Sequence, residues 1–176
     1  MRLLAISGSL RKRSSNTELL RAVALLAPRD VSVDLYDGLR ALPHFDPDVE
    51  PEDVTPVMDL KRRLAAADGL MISTPEYARG VPGSLKNALD WLVSGAEFVD
   101  KPVALLSASD RSRYAYEALR ITLATMSGRI VEAASMTLPL LGRDLDATAI
   151  AADTELSTRL RSALAAFRDA IRASSG

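Results

Sequence analysis

The sequence predicts an α/β domain in three layers, a five-stranded parallel sheet with helices on both faces. Two observations carry this. Short apolar runs alternate with longer segments of helical period along the chain, the form taken by stacked βαβ units. The first run, from Arg2 to Ser7, is apolar on both faces, as a central parallel strand covered from each side must be. No internal repeat or long linker breaks the pattern. The length of 176 residues suits one domain with its own core, so residues 1–176 are read as a single unit.

The elements follow in order. After the first strand, a helix over residues 16–27 places Leu19, Leu20, Val23 and Leu26 on one stripe, and Pro28 ends it. The second strand, residues 31–36, turns Val31, Val33 and Leu35 inward, an edge-strand pattern. An irregular segment rich in Pro and Asp (37–56) precedes a helix over 57–67 and a third strand over 69–73. Two prolines and two glycines make residues 74–83 a loop. A helix over 84–93 and a fourth strand over 103–107 come next. Tyr116, Leu119, Leu123 and Met126 mark a fourth helix, and residues 129–138 hold the fifth strand. After a loop, Leu156, Leu160, Leu164, Phe167 and Ile171 give a last amphipathic helix. Strict alternation of five strands and five helices predicts the strand order 2-1-3-4-5. A ligand is expected at the carboxyl ends of the strands, near the switch point.

Composition excludes several function classes. With 22 basic against 23 acidic residues, no charge excess steers the chain toward nucleic acid or an anionic membrane. The apolar run Leu3 to Ile6 is too short for a signal peptide or a membrane span. Absence of cysteine rules out disulfides, thiolate nucleophiles and Cys-based metal sites, and fits a cytoplasmic location. The single histidine, His44, has neither the partners for zinc nor a Gly-x-Ser-x-Gly elbow for a hydrolase triad; a surface loop is expected for it. The first and third strands end in Ile6-Ser7-Gly8 and Ser73-Thr74-Pro75, so no acid stands where a phosphoacceptor pocket needs one. No metal ligands and no catalytic side chain are assigned.

In this topology the loops after strands one, three and four meet at one edge. The first, Gly8 to Ser15, offers Ser9, Ser14, Ser15, Asn16 and Thr17 as neutral donors and Arg11 as a charge, beside the N–H groups of a helix start. That set suits a terminal phosphate. It is neither a P-loop nor a Gly-x-Gly-x-x-Gly fingerprint. Ser15-Asn16-Thr17-Glu18 also reads as a capping box with Glu18 reaching back. Taken alone, the loop leaves a helix cap and an anion site equally open.

The second loop is more individual: Thr74-Pro75-Glu76-Tyr77-Ala78-Arg79-Gly80-Val81-Pro82-Gly83-Ser84-Leu85-Lys86-Asn87-Ala88-Leu89-Asp90-Trp91. Together with Gly8-Ser9-Leu10-Arg11-x-x-Ser14-x-Asn16, Leu42-Pro43-x-Phe45-Asp46-Pro47-Asp48 and Lys101-Pro102-Val103, it closely resembles the NADPH-dependent FMN reductase family, which includes quinone, chromate and azo-dye reductases. The resemblance spans roughly residues 2–140 and implies a flavodoxin-like fold. It also implies an FMN-dependent NAD(P)H oxidoreductase, passing hydride from NADPH or NADH through bound FMN to a quinone, an azo compound, chromate or free flavin. The cofactor carries such chemistry, so no protein acid or base is required. By the same resemblance Ser9, Arg11, Ser14 and Asn16 hold the FMN phosphate, with Ser15 and Thr17 as further donors. Pro75, Glu76, Tyr77 and Ala78 line the ring, mostly through backbone, and Ser107, Ala108 and Ser109 touch it from the third loop.

Lys86, Asn87, Asp90 and Trp91 are read as fixing the helix after that loop and a subunit interface, with burial in the core or an interface favoured over cofactor contact for Trp91. A homodimer or homotetramer is implied because the family's flavin sites lie beside subunit interfaces; Trp91 and Leu92 flank the site. Two departures stand out. The family's Gly-rich third loop is here Ser107-Ala108-Ser109-Asp110-Arg111-Ser112-Arg113-Tyr114, without glycine, and the family's common Asn is Ala78. Arg79, Arg111 and Arg113 are read either as attracting the phosphates of NADPH or as solvated surface residues. Two rivals remain: a flavodoxin-type electron carrier, which usually has a more acidic surface, and a family member that has lost flavin and serves as a binding module.

Overall fold

The computed structural model describes residues 1–140 and 142–174. Strands β1 (Arg2–Ser7), β2 (Ser32–Tyr36), β3 (Gly69–Ser73) and β4 (Pro102–Ser107) pair in parallel in the order β2-β1-β3-β4, with β5 (Arg129–Ile130) outside β4. This is the expected flavodoxin-like order. Register puts Ser7 opposite Ser73 and Ser73 opposite Leu106, so β1, β3 and β4 end at one level and their loops leave the sheet side by side.

Alternation along the strands divides the core in two. Leu3, Ala5, Met71, Ala104 and Leu106 pack against α1 (Ser15–Leu26) and the long C-terminal helix. Leu4, Ile6, Leu70, Ile72, Val103 and Leu105 pack against α2 (Thr55–Ala65), α3 (Gly83–Leu92) and α4 (Arg113–Thr125). Burial of each Leu, Ile, Val or Met side chain among these stabilises the fold by about 1.5–3 kcal/mol, and of each alanine by less. Strands β3 and β4 are buried throughout, while β2 alternates exposed and half-buried residues as an edge strand should. Val31, read as its first inward residue, is buried but precedes the strand.

The C-terminal third corrects the sequence reading. The expected strand over 129–138 is broken in two: β5 pairs with Pro102 and Val103, β6 (Met136–Thr137) pairs with Leu106 and Ser107, and a 3-10 turn at Glu132–Ala134 separates them. At the break, Leu105 N–H donates to Ser135 Oγ at 3.0 Å, and that hydroxyl donates to Val131 O at 3.0 Å. The hydroxyl replaces the missing ladder carbonyl, which lets a central strand keep its hydrogen bonds beside an interrupted neighbour.

A helix absent from the sequence reading, α5 (Ala147–Ala152), precedes α6 (Thr154–Ser174). Both are capped by acids. Asp146 accepts from Ala149 N–H at 2.7 Å, and Asp153 accepts from Glu155 and Leu156 N–H, each at 3.0 Å. The capping box expected at Ser15–Glu18 does not form. The N-cap is Ser14, which puts Glu18 one position too deep; Glu18 bonds Arg21 at 2.5 Å and caps α5 through Ala147 N–H at 3.0 Å.

Two expectations follow. Ser135→Ala leaves Leu105 N–H without its acceptor and is expected to lower unfolding free energy by about 1–3 kcal/mol in a denaturant titration. Asp153 is held below its ordinary 3.8 chiefly by the Leu156 N–H bond, and Glu132 below 4.5 chiefly by hydrogen bonding from Arg120. A carboxylate depressed in the folded state gives stability that is present above its unfolded pKa and lost as pH falls through the folded one. The urea midpoint should therefore drop as acidity passes those ordinary values, and Asp153→Asn should flatten part of the drop.

Candidate functional site

The first and second loops are held together before any ligand is considered. Gly8 N–H donates to Ser73 O at 2.8 Å. A Cβ on Gly8 would lie 2.3 Å from Thr74 Oγ1 and 2.9 Å from Thr74 Cβ, so only glycine lets the loops close this far. Beneath them, the buried Ser73 hydroxyl donates to Asn16 Oδ1 at 2.9 Å, tying the end of β3 to the first turn of α1.

Above this junction lies a cleft of about 690 Å³, within the range of small-molecule and cofactor sites. The first loop contributes Ser9, Arg11, Ser14, Ser15 and Asn16 to its wall, the second Pro75, Glu76 and Tyr77, and the third Ala108 and Ser109. All were singled out in the sequence. Arg13, Ser112, Gly142 and Asp144 also line it and were missed; Arg111, read either as attracting NADPH phosphates or as a solvated surface residue, lines it too. Arg13 could have been found from the basic run Arg11-Lys12-Arg13. Gly142 and Asp144 carry no local signal, since the fold brings them in from far along the chain.

Three predicted residues stand off the wall. The Thr17 hydroxyl turns away to Ser7 Oγ at 2.8 Å, leaving only its backbone N–H in the first turn of α1. Ala78 sits at the tip of a hairpin. The Ser107 hydroxyl folds back to Ser109 O at 2.7 Å.

One end of the cleft is rich in donors. Ser14 has extended backbone, yet its side chain makes no capping bond, and the first intrahelical bond runs from Glu18 N–H to Ser14 O at 2.9 Å. The N–H groups of Ser15, Asn16 and Thr17 therefore have no acceptor within the helix. With Oδ1 taken by Ser73, Asn16 has only its amide N–H₂ left to offer. Arg11 is exposed and makes no ion pair among the described residues. Arg13 instead holds Asp144 through contacts of 2.6 and 2.8 Å, with both side chains largely in solvent; such a pair contributes at most about 1 kcal/mol. Open helix N–H groups, hydroxyls and a free guanidinium fit a phosphate dianion.

The other end is walled mainly by backbone. Glu76 Oε2 accepts from Ala115 N–H at 3.0 Å, so this carboxylate caps the first turn of α4. Tyr77 and Gly80 exchange both backbone bonds, at 3.1 and 3.0 Å, across Ala78 (φ 50°) and Arg79 (φ 59°). A two-residue turn with both residues left-handed favours Gly, Asn or Asp; here it carries Ala and Arg. The third loop braces it: the guanidinium groups of Arg79 and Arg113 lie 5.1 and 5.3 Å from the Tyr114 ring centroid, at cation–π distance. Within that loop, Arg111 N–H donates to Ser109 Oγ at 3.1 Å, ordering a segment that has no glycine.

The helix behind the second loop is structural. Trp91 and Leu92 are each 1% exposed and belong to the core, so they give no support to a subunit interface. Trp91 Nε1 and Asn87 Nδ2 both donate to Pro43 O, at 2.9 and 2.8 Å, and Phe45 packs edge-on against Trp91. Lys86 pairs with Asp90 at 2.5 Å. His44 is exposed, as expected.

A family model described as NADPH-dependent FMN reductase matches residues 1–140. The chain is 44% identical over 91 residues to a 2-hydroxy-1,4-benzoquinone reductase of a Burkholderia species, covering 52% of this chain and 49% of that protein. It is 38% identical over 106 residues to a quinone reductase of Escherichia coli K12, covering 59% and 55%. Over 129 residues it is 36% identical to an NADPH azoreductase of Bacillus sp. OY1-2, covering 73% and 70%. The chain thus spans about half the length of the first two of these relatives. Among solved structures it is similar to FerB, a flavoenzyme NAD(P)H:(acceptor) oxidoreductase from Paracoccus denitrificans, with a TM-score of 0.78, 28% identity and 97% coverage of each chain.

The left-handed pair at 78–79 gives a direct expectation. An L residue in this conformation costs on the order of 1–2 kcal/mol. Ala78→Gly should therefore raise unfolding free energy by about 1 kcal/mol, read from the denaturant midpoint.

Proposed function

The chain belongs to the NADPH-dependent FMN reductase family, and from that premise we propose that it is an FMN-dependent NAD(P)H oxidoreductase acting on a small acceptor: a quinone, an azo compound, chromate or free flavin. The observation that carries this reading is the uncapped first turn of α1, opening with the unpaired Arg11 onto one end of a cofactor-sized cleft. In this reading Ser9, Arg11, Ser14, Ser15 and Asn16, with Thr17 N–H, bind the FMN phosphate. Pro75, Glu76, Tyr77, Ala108 and Ser109 hold the ring, largely through backbone. Ala78 and Ser107 act at one remove, by shaping the second and third loops.

Bound FMN supplies hydride acceptance and donation. The protein's task is then to fix the phosphate, orient the ring and leave room for a second molecule on it. No cleft side chain needs to move a proton. Because one cleft serves both donor and acceptor, they bind in turn, and parallel double-reciprocal plots are expected. We propose further that the 176 residues act as one cytoplasmic domain, assembled as a homodimer or homotetramer. Among the described residues no helix is long and apolar enough to cross a membrane.

Purified protein mixed with FMN should turn yellow and oxidise NADPH when a quinone is added; a protein that binds no FMN would overturn the reading. Arg11→Ala removes a charge-assisted contact of about 1.5–3 kcal/mol, so the FMN dissociation constant should rise roughly ten- to hundredfold while the unfolding midpoint stays put. Unchanged affinity would place Arg11 in solvent.

A further inference from the structure

The first loop separates the cleft from a second pocket of about 250 Å³, at the carboxyl ends of β1 and β2. Ser9 and Arg11 border both. Lys12, Arg21 and Arg40 add further positive charge to the second pocket, against one carboxylate, Asp37. Arg21 is neutralised by Glu18. Arg11, Lys12 and Arg40 have no acidic partner among the described residues, and Arg40 is fixed against the loop by a 2.9 Å bond to Leu10 O.

Tyr36 is the less ordinary feature of this wall. It is 5% exposed, its ring lies under the Arg63 guanidinium, and its hydroxyl has no hydrogen-bond partner among the described residues. The oxygen is not sealed from solvent, so what it lacks is a protein partner, and it is left open toward the pocket that Tyr36 lines. Burial, and after it the nearby Asp59, push its pKa up to about 12, so the group is a proton donor at neutral pH. Gly38 keeps the space beside it: a Cβ there would lie 2.5 Å from the Tyr36 oxygen. The Ser7 and Thr17 hydroxyls, which also border the pocket, share one hydrogen bond, which leaves the second proton of the pair free.

We propose that this pocket is a second anion site, taking a small oxyanion of the phosphate class and distinct from the flavin cleft. The volume is below the usual range for a cofactor and suits a small ion or a short ester. The Tyr36 hydroxyl, the Lys12 ammonium and the Arg11 and Arg40 guanidinium groups supply donors, and no proton needs to be lost for them to act. Since Arg11 borders both sites, an anion in the pocket and a phosphate in the cleft compete for one guanidinium, and each weakens the other.

The test is calorimetric titration of FMN-saturated protein with inorganic phosphate at constant ionic strength. One phosphate should bind. Tyr36→Phe, which keeps the ring, and Lys12→Ala, which alters an exposed residue, should each weaken it roughly tenfold or more, with melting temperatures confirming the fold. A small phosphomonoester titrated in parallel separates the two sources: tighter binding names the ester as occupant, weaker binding the free ion. No binding to the FMN-saturated protein, or binding that neither variant changes, overturns the site. If FMN itself does not bind, the flavin reading falls separately. The titration on flavin-free protein then decides the pocket: loss of one class of site in Lys12→Ala sustains it, and identical isotherms overturn it.

Discussion

The site depends on the closeness of two loops at Gly8. The bond from Gly8 N–H to Ser73 O continues the sheet ladder one residue beyond β1. The lack of a Cβ lets Thr74 sit against it. Because β1 and β3 end level, this contact sets the spacing between the donor-rich first loop and the backbone wall of the second. The Ser73–Asn16 bond locks the helix start to the same point. Loops on a rigid sheet edge can be shaped freely for binding only if their bases are fixed in this way.

Acids near the cleft are put to use elsewhere. Glu18, in the first turn of α1, would repel a phosphate if it faced the loop; it caps α5 and pairs with Arg21 instead. Glu76, in the second loop, caps α4. Each bond satisfies a helix N–H that would otherwise lack an acceptor, and the first also keeps the Glu18 carboxylate off the cleft wall. The donor-rich end therefore keeps its open N–H groups and its free guanidinium. Packing of the C-terminal helices is in this sense coupled to the chemistry of the first loop.

The ring end is held differently. Ala78 and Arg79 occupy left-handed backbone that their side chains disfavour, and such conformations persist when the surroundings over-determine them. Here the surroundings are the two-way Tyr77–Gly80 bridge and the stack of Arg79 and Arg113 on Tyr114. The glycine-free third loop thus supports the left-handed turn of the second one, and the two form one surface.

Local sequence determined the parallel sheet and its strand order, and the resemblance carried by the first two loops pointed to most of the cleft wall. Apolar periodicity marks buried strands and helix stripes, while the first loop became legible as an anion site only when paired with the second. The broken fifth strand, helix α5 and the contributions of Gly142 and Asp144 were decided by tertiary structure. A serine hydroxyl standing in for a ladder carbonyl at Leu105, or a glutamate in the first helix capping another far along the chain, leaves no trace in local pattern. The same holds for the side chains of Thr17 and Ser107. Polarity marked Thr17 as a donor and the resemblance placed Ser107 against the ring, and only the fold supplied the nearer hydrogen-bond partners that turned them away from the cleft.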